Sequence, residues 1–256
     1  MELISQKDLS DHAAYLSSAI VGASYCKEDS KCNPLKASLA LAQAAQANGA
    51  RINIHETVTG IQLINKDSFT VLTSKEQYLA SRILNCAGVW SKYIFRMIEL
   101  DMPIRLSPQQ MMVTEVVPRI IGHVITHIKG KITLKQVDSG NILIGGGWEG
   151  HGDLDKNIKL ISYESLLGNA QIACRIVPAL KKLNLIRCWI GSEGRTPDQL
   201  PLIGNLNHLP HFYTACCAKG GFTLGPFMAK MVVELIIRGK TDYPISAFNV
   251  NRFIPK

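Results

Sequence analysis

Thr214-Ala-Cys-Cys-Ala-Lys-Gly-Gly-Phe-Thr-Leu-Gly-Pro226 decides how this chain is read. A strand-like stretch empties into a Gly-Gly pair, and an apolar-striped helical segment starts at once. Strand, glycine turn and helix in that order aim backbone N–H groups, and the positive end of a helix dipole, at whatever lies above the turn. Gly220 and Gly221 have no Cβ, so the backbone there can approach a ligand closely. Behind them Leu224, Met228, Met231, Val232, Leu235 and Ile236 fall on one helical face, the pattern of a core stripe. Upstream stand Thr196-Pro-Asp198 and Leu200-Pro-Leu-Ile-Gly204, in which Pro197-Asp198 also fits a simple turn.

Composition sets the limits around this run. The chain has 256 residues, enough for one large domain or two small ones. Apolar residues make up 46% and charged residues 19%, the balance of a folded core and not of a disordered chain. The net charge is +8, but the basic residues are scattered and only Lys181-Lys182 are adjacent. That spread argues against a nucleic-acid stripe. Seven cysteines, an odd count that includes Cys216-Cys217, predict free thiols and not a disulfide framework. The first residues, Met1 to Leu9, lack the basic region and apolar core of a signal peptide. No apolar run approaches the ~18 residues of a spanning helix. The expected setting is cytoplasmic, with contact at the periphery of the inner membrane left open.

Hydrophobic periodicity then orders the chain. Helical spacing covers Asp8–Val21, and a polar loop follows at Cys26–Cys32. Asn33-Pro34 offers an N-cap and a first-turn proline for an Ala-rich helix to Asn48, with Gly49 as its stop. Alternation predicts strands at Ala50–His55, Val58–Ile64, Ser68–Thr73 and Gln77–Cys86. Ala87-Gly88-Val-Trp90 closes the last of these and opens a helix to Glu99. Beyond Pro103 the pattern becomes hairpin-like, with strands at Arg105–Val117, His123–Ile128, Ile132–Val137 and Asn141–Gly147. A helix at Asn157–Ile176 ends before Pro178, and Arg187–Gly191 reads as the strand that returns. The predicted class is α/β (α+β). An α/β layer from residues 1–102 and 187–256 is interleaved with an antiparallel-sheet domain, residues 103–186.

Several segments, taken in order, resemble one family. They are Asn33-Pro-Leu35 with Ala44-Ala-Gln-Ala-Asn-Gly-Ala50; Val58 with Ile61; Asn85-Cys-Ala-Gly-Val-Trp-Ser91; Gln110-Met-Met-Val-Thr-Glu115; Gly145-Gly-Gly147; Trp189-Ile-Gly191; and the Thr-Pro-Asp and Gly-Gly-Phe-Thr runs. Together they are similar to the FAD-dependent D-amino-acid oxidase and dehydrogenase family, from the N-terminus to Phe253. The resemblance implies an incomplete FAD-binding layer (1–102 and 187–256) and a substrate domain (103–186). It implies FAD contacts at Val58, Gly88, Trp90, Gly220, Gly221, Phe222 and Thr223, although Gly88 alone also fits a plain turn. The implied chemistry is oxidation of a CH–NH bond by hydride transfer to flavin. N–H groups around Gly221, Phe222 and Thr223 would then stabilise charge at the flavin N1–C2=O2 edge. No catalytic acid or base is assigned.

One departure bears on substrate. Many relatives read W-x-G-x-R before x-x-T-P-D, whereas Trp189-Ile-Gly-Ser-Glu193 puts a glutamate at the arginine's place. Glu193 would attract a cationic or secondary amine, or else is a solvated loop carboxylate. Arg195 would hold a substrate carboxylate if the backbone turned it inward. His123 and His127 are spaced for a strand and loop, so no metal site is expected. His151 lies in a glycine-flanked loop that faces either the cleft or solvent.

The family opens with a βαβ unit whose G-x-G-x-x-G cradles the FAD pyrophosphate. Met1 starts downstream of it, and Gly145-Gly-Gly147 follows a strand with no helix pattern after it. Two readings remain. One is a truncated or split FAD-dependent oxidoreductase that acts on a small amine or amino acid with an N-terminal FAD-binding partner subunit. The other is an inactive, non-enzymatic remnant that binds no FAD alone.

Overall fold

Local capping and tertiary hydrogen bonds decide where the elements begin and end. The computed structural model describes residues 1–65, 67–217 and 219–254; Ala218, inside the decisive run, lies outside them. Strand β1 (Glu2–Ser5), helix α1 (Leu9–Ala13) and strand β2 (Gly22–Tyr25) come first, with β1 and β2 antiparallel. The helix expected over Asp8–Val21 is cut to five residues. Its continuation is lost because the Ser17 amide donates to the Ile176 carbonyl at 2.8 Å, a tertiary partner that replaces the helical one. Helix α2 (Pro34–Ala47) starts on its proline as predicted, and Gly49, at φ 89°, ends it.

Strands β3 (Val58–Asn65), β4 (Ser68–Thr73) and β5 (Gln77–Ala80) form an antiparallel meander. Phe69 is fully buried in it. The strand expected at Ala50–His55 is absent: no strand pairs with this stretch among the described residues, and His55, at φ 55°, turns the chain at its end. The stretch Gln77–Cys86 divides into β5 and β6 (Ile83–Asn85), which join different sheets. A 3₁₀ turn at Gly88–Trp90 leads into α3 (Ser91–Arg96).

Strands β7 (Arg105–Thr114), β8 (Ile125–Thr126), β9 (Thr133–Gln136) and β10 (Ile142–Gly145) follow, then the hairpin β11 (His151–Asp153) and β12 (Ile158–Leu160). The expected helix from Asn157 begins only at α4 (Tyr163–Ile176). Asn157 stands at φ 51°, and the Ser162 hydroxyl caps the helix by accepting from the Ser165 amide. Strands β13 (Leu185–Arg195), β14 (Leu202–Asn205) and β15 (Phe212–Cys216) precede the last helix, α5 (Gly221–Arg238). Among the described residues, no helix is long and apolar enough to cross a membrane.

The chain divides into two compact units. Met1–Asn33 packs with Pro108–Ser192, and Pro34–Ser107 packs with Glu193–Lys256. The chain passes from one to the other inside β7 and again inside β13.

In the first unit five strands lie in the order β13-β7-β10-β9-β8. Leu143 stands opposite Val113 and Ile144 opposite Met112, so the segments expected to share a sheet after Pro103 do share one. Alternation along these strands sends Met112, Leu134, Ile142 and Ile144 to one face. There they pack with Ala173 and Ile176 of α4 and with Val177 and Leu180. Gln136 is buried at one end of this sheet. Its Oε1 accepts from the amides of Ile120 (2.7 Å) and Ile121 (3.0 Å), while its Nε2 donates to the Val117, Pro118 and Gly140 carbonyls. Replacing Gln136 by Met strands these backbone groups. We expect a loss of about 3 kcal/mol in urea unfolding, with an unchanged m-value.

In the second unit β14, β15 and β6 form a sheet. β15 runs antiparallel to β14 and parallel to β6, with Thr214 opposite Asn85. Met228 and Met231 of α5 pack on Ile203 of β14, while Leu224, placed on the same stripe by the sequence, is 44% exposed.

Candidate functional site

Two parallel strands that end side by side build the site within the second unit. At the end of β6 the Asn85 Oδ1 accepts from the Ala87 amide (3.2 Å) and the Ser91 hydroxyl (2.9 Å). That double contact shapes the turn carrying Gly88, which sits at φ 57°. At the end of β15 Cys217 is at φ 60°, and Gly220, at φ 70°, precedes the first turn of α5. The two turns touch. The Thr214 hydroxyl donates to the Asn85 carbonyl at 3.3 Å, and the Cys217 thiol donates to the Gly88 carbonyl at 3.2 Å. Its hydrogen bond with Cys216, reinforced by burial, pushes the Cys217 thiol up, so it keeps its proton. All seven cysteines are unpaired thiols.

The glycines at this place differ in kind from packing glycines. A Cβ built at Gly88 or Gly220 meets nothing within 4 Å, so open space lies in front of both. Gly220 is also the helix boundary: its carbonyl accepts from the Thr223 (3.0 Å) and Leu224 (3.2 Å) amides. Thr223 therefore does not offer the free N–H that the sequence suggested. At the positive end of an 18-residue helix, the Gly221 and Phe222 amides have no hydrogen-bond acceptor among the described residues. Trp90 and Phe222 are about half exposed beside these turns. The Asn85 Nδ2 is buried without a hydrogen-bond partner among the described residues. Open left-handed backbone, unspent amides, an orphaned donor and exposed aromatics fit a flat apolar group with a polar edge. Val58 is set apart, half-buried at the start of β3 and bonded into a different sheet.

The third strand of the site was not legible from sequence. Gly194 lies so close to the Gly88 turn that a Cβ there would stand 2.8 Å from the Val89 Cα and 3.1 Å from the Cys217 sulfur. That approach brings Glu193 to the second turn. Its Oε1 accepts from the Gly220 amide at 3.0 Å, and its Oε2 accepts from Arg195 Nε at 2.9 Å and Nη2 at 2.7 Å. Glu193 and Arg195 are thus paired with each other, about three-quarters or more buried.

Thr196-Pro-Asp198 anchors the C-terminal end of the chain. Asp198 holds Arg252 with Nε–Oδ2 2.8 Å and Nη2–Oδ1 3.1 Å, and accepts the Leu200 amide at 3.1 Å. Arg252 also donates to the Phe248 and Asn249 carbonyls. The run Gly145-Gly-Gly-Trp-Glu-Gly150 has the spacing of a dinucleotide fingerprint, but strand β11 follows it and no helix does. A Cβ at Gly146 would meet the Ile132 backbone at 2.4 Å, so this glycine serves packing. His127 is used locally: its Nδ1 accepts from the Lys129 and Gly130 amides. His151 is exposed in β11.

The sequence matches the FAD dependent oxidoreductase family (DAO) over residues 1–235, and the chain belongs to that family. Members of the family are flavoenzymes with FAD as cofactor. A subunit of opine oxidase from Agrobacterium tumefaciens is 27% identical over 98% of this chain and 65% of its own length. The HcnC subunit of hydrogen cyanide synthase from Pseudomonas protegens is 28% identical over 88% of this chain and 53% of its own. The crystal structure of L-proline dehydrogenase from P. horikoshii superposes with a TM-score of 0.90 at 30% identity, covering 98% of this chain and 68% of that one. The chain therefore spans between about half and two thirds of the two sequence relatives.

The Arg252 guanidinium beside Asp198 holds its carboxyl well below the usual range. A depressed folded-state pKa contributes stability above the unfolded value, near about 4, and loses it as pH falls further. Asp198→Asn should lower Tm by about 4 °C at pH 7. The gap to wild type should hold from pH 7 down to about 4 and narrow progressively below it, followed by calorimetry across pH 2–7.

Proposed function

We propose that this chain supplies the flavin-facing and substrate-side portion of a FAD-dependent oxidoreductase acting on the CH–NH bond of an amino acid or related amine. The observation that carries the reading is the pair of open, left-handed glycine turns at the adjacent ends of β6 and β15. Opine oxidase and L-proline dehydrogenase among the relatives support the substrate class.

Bound at these turns, FAD supplies the two-electron acceptor. Gly88 and Gly220 give its ring system room to approach the backbone. The Gly221 and Phe222 amides, backed by the α5 dipole, would stabilise negative charge on its polar edge. Trp90, the Phe222 side chain and Val58 would contribute apolar contacts to the cofactor. Glu193 and Arg195 largely neutralise each other, so the choice between cationic and anionic substrates is weak at this point.

The pyrophosphate is held by a glycine-rich βαβ unit on a partner subunit or elsewhere in the polypeptide, in a cytoplasmic setting. Two of the relatives are named as subunits of larger enzymes, which supports a partner. Exposed Leu35, Leu39 and Leu41 on α2, none of whose residues is buried, support a covering surface.

Residues 1–256 purified alone should carry little FAD, yet quench FAD fluorescence in a titration. Gly221→Val should weaken that binding about tenfold or more by placing a branched Cβ at the approach. Absence of any quenching by the wild type favours the inactive remnant. Equal affinity in wild type and Gly221→Val removes the turn from the site.

A further inference from the structure

We propose that Glu193 is a positioning residue, which sets the orientation of the flavin-facing turn through the Gly220 amide; this rests on the flavin reading above. The two carboxylate oxygens have separate tasks. One receives the Gly220 N–H at 3.0 Å, and the other is gripped by Arg195 through two nitrogens at 2.9 and 2.7 Å. Arg195 thus fixes the carboxylate in one rotamer, and the carboxylate in turn fixes a peptide plane.

The turn needs such a hold. Lys219 and Gly220 are exposed, so packing does little to restrain them. Gly220 has no side chain and stands in a region where its backbone has the widest freedom. A hydrogen bond to an ionised acceptor in a largely buried setting is stronger than one between neutral groups. Gly194 completes the device: only a residue without Cβ lets β13 lie against Val89, close enough for Glu193 to reach across 27 residues of sequence.

The same geometry sets what the turn can offer. With the Gly220 amide engaged by Glu193 and the Thr223 amide by the Gly220 carbonyl, the donors of this turn without an acceptor among the described residues are those of Gly221 and Phe222. Their direction follows from the peptide that Glu193 holds. A glutamate at this position therefore acts on the cofactor side of the site, and a free carboxylate for a substrate amine is not available there.

The test compares wild type, Glu193→Ala and Glu193→Gln as full 256-residue chains. Hydrogen exchange by mass spectrometry follows a peptide covering residues 219–224, and FAD affinity is read by fluorescence quenching. Glu193→Ala should speed exchange in that peptide about tenfold, leave β14 and β15 protected, and weaken FAD binding about tenfold. Glu193→Gln, which keeps one acceptor oxygen but loses the charge and the second acceptor that Arg195 grips, should fall between wild type and Glu193→Ala in both readouts.

Unchanged exchange in Glu193→Ala overturns the proposal. So does faster exchange with wild-type FAD affinity. Loss of protection in β14 and β15 as well would assign Glu193 a general folding role and also overturn it. A wild-type chain that takes up no FAD defeats the flavin reading itself, and the proposal falls with it. That failure is distinguished by appearing before any substitution is made.

Discussion

The parallel pairing of Ile83–Asn85 with Phe212–Cys216 is the constraint on which the second unit depends. It puts two strand ends in register, and each end runs directly into a glycine turn and a helix. Thr214 ties the strands at their last pair through the Asn85 carbonyl, and Cys217 ties the turns one step further on. Neither turn could present its backbone to the same object if the strands were offset. Phe95 of α3 packs near Phe212, with ring centroids 6.0 Å apart, which fixes the helix after the first turn to the strand before the second. A site made of backbone groups is thereby held by a short, fully bonded ladder.

Legibility from sequence followed the range of the forces involved. Proline at the start of α2 and glycine after its end act within a few residues, and both boundaries could be read directly. Gly-Gly before α5 is equally local. Ala50–His55 has the alternation of a strand, but no strand pairs with it among the described residues, and His55 turns the chain through a left-handed backbone at its end. The first helix stopped where an amide found the Ile176 carbonyl, a partner far along the chain. Ser162 was a readable signal for the start of α4, because a serine three residues before Ser165 is a serviceable cap. The contacts of Glu193 with Gly220 and of Asp198 with Arg252 span 27 and 54 residues. No pattern in the letters announces them.

Glycine illustrates why composition alone misleads about ligand sites. Gly145–Gly150 has the more suggestive spacing, yet Gly146 is pressed against the Ile132 backbone and the chain continues into a strand. Gly88 and Gly220 have no motif-like spacing between them, yet both face open space. What sets Gly88 and Gly220 apart is that their turns stand at the adjacent ends of two paired strands, each leading into a helix.

The parallel ladder also governs the order in which the molecule can be made. Thr214 and Asn85 are 129 positions apart, and the whole of Pro108–Ser192 is inserted between them. During synthesis β6 emerges early and must wait with its pairing groups unmet, while the inserted segment, together with the already released Met1–Asn33, can close its own core first. Long-range parallel pairing is slow because the loop entropy is lost before the contacts form. The glycine turns therefore meet last. A chain interrupted after Ser192 but before β15 carries a complete first unit and no trace of the turn pair, so assembly of that surface reports that translation has passed Gly220.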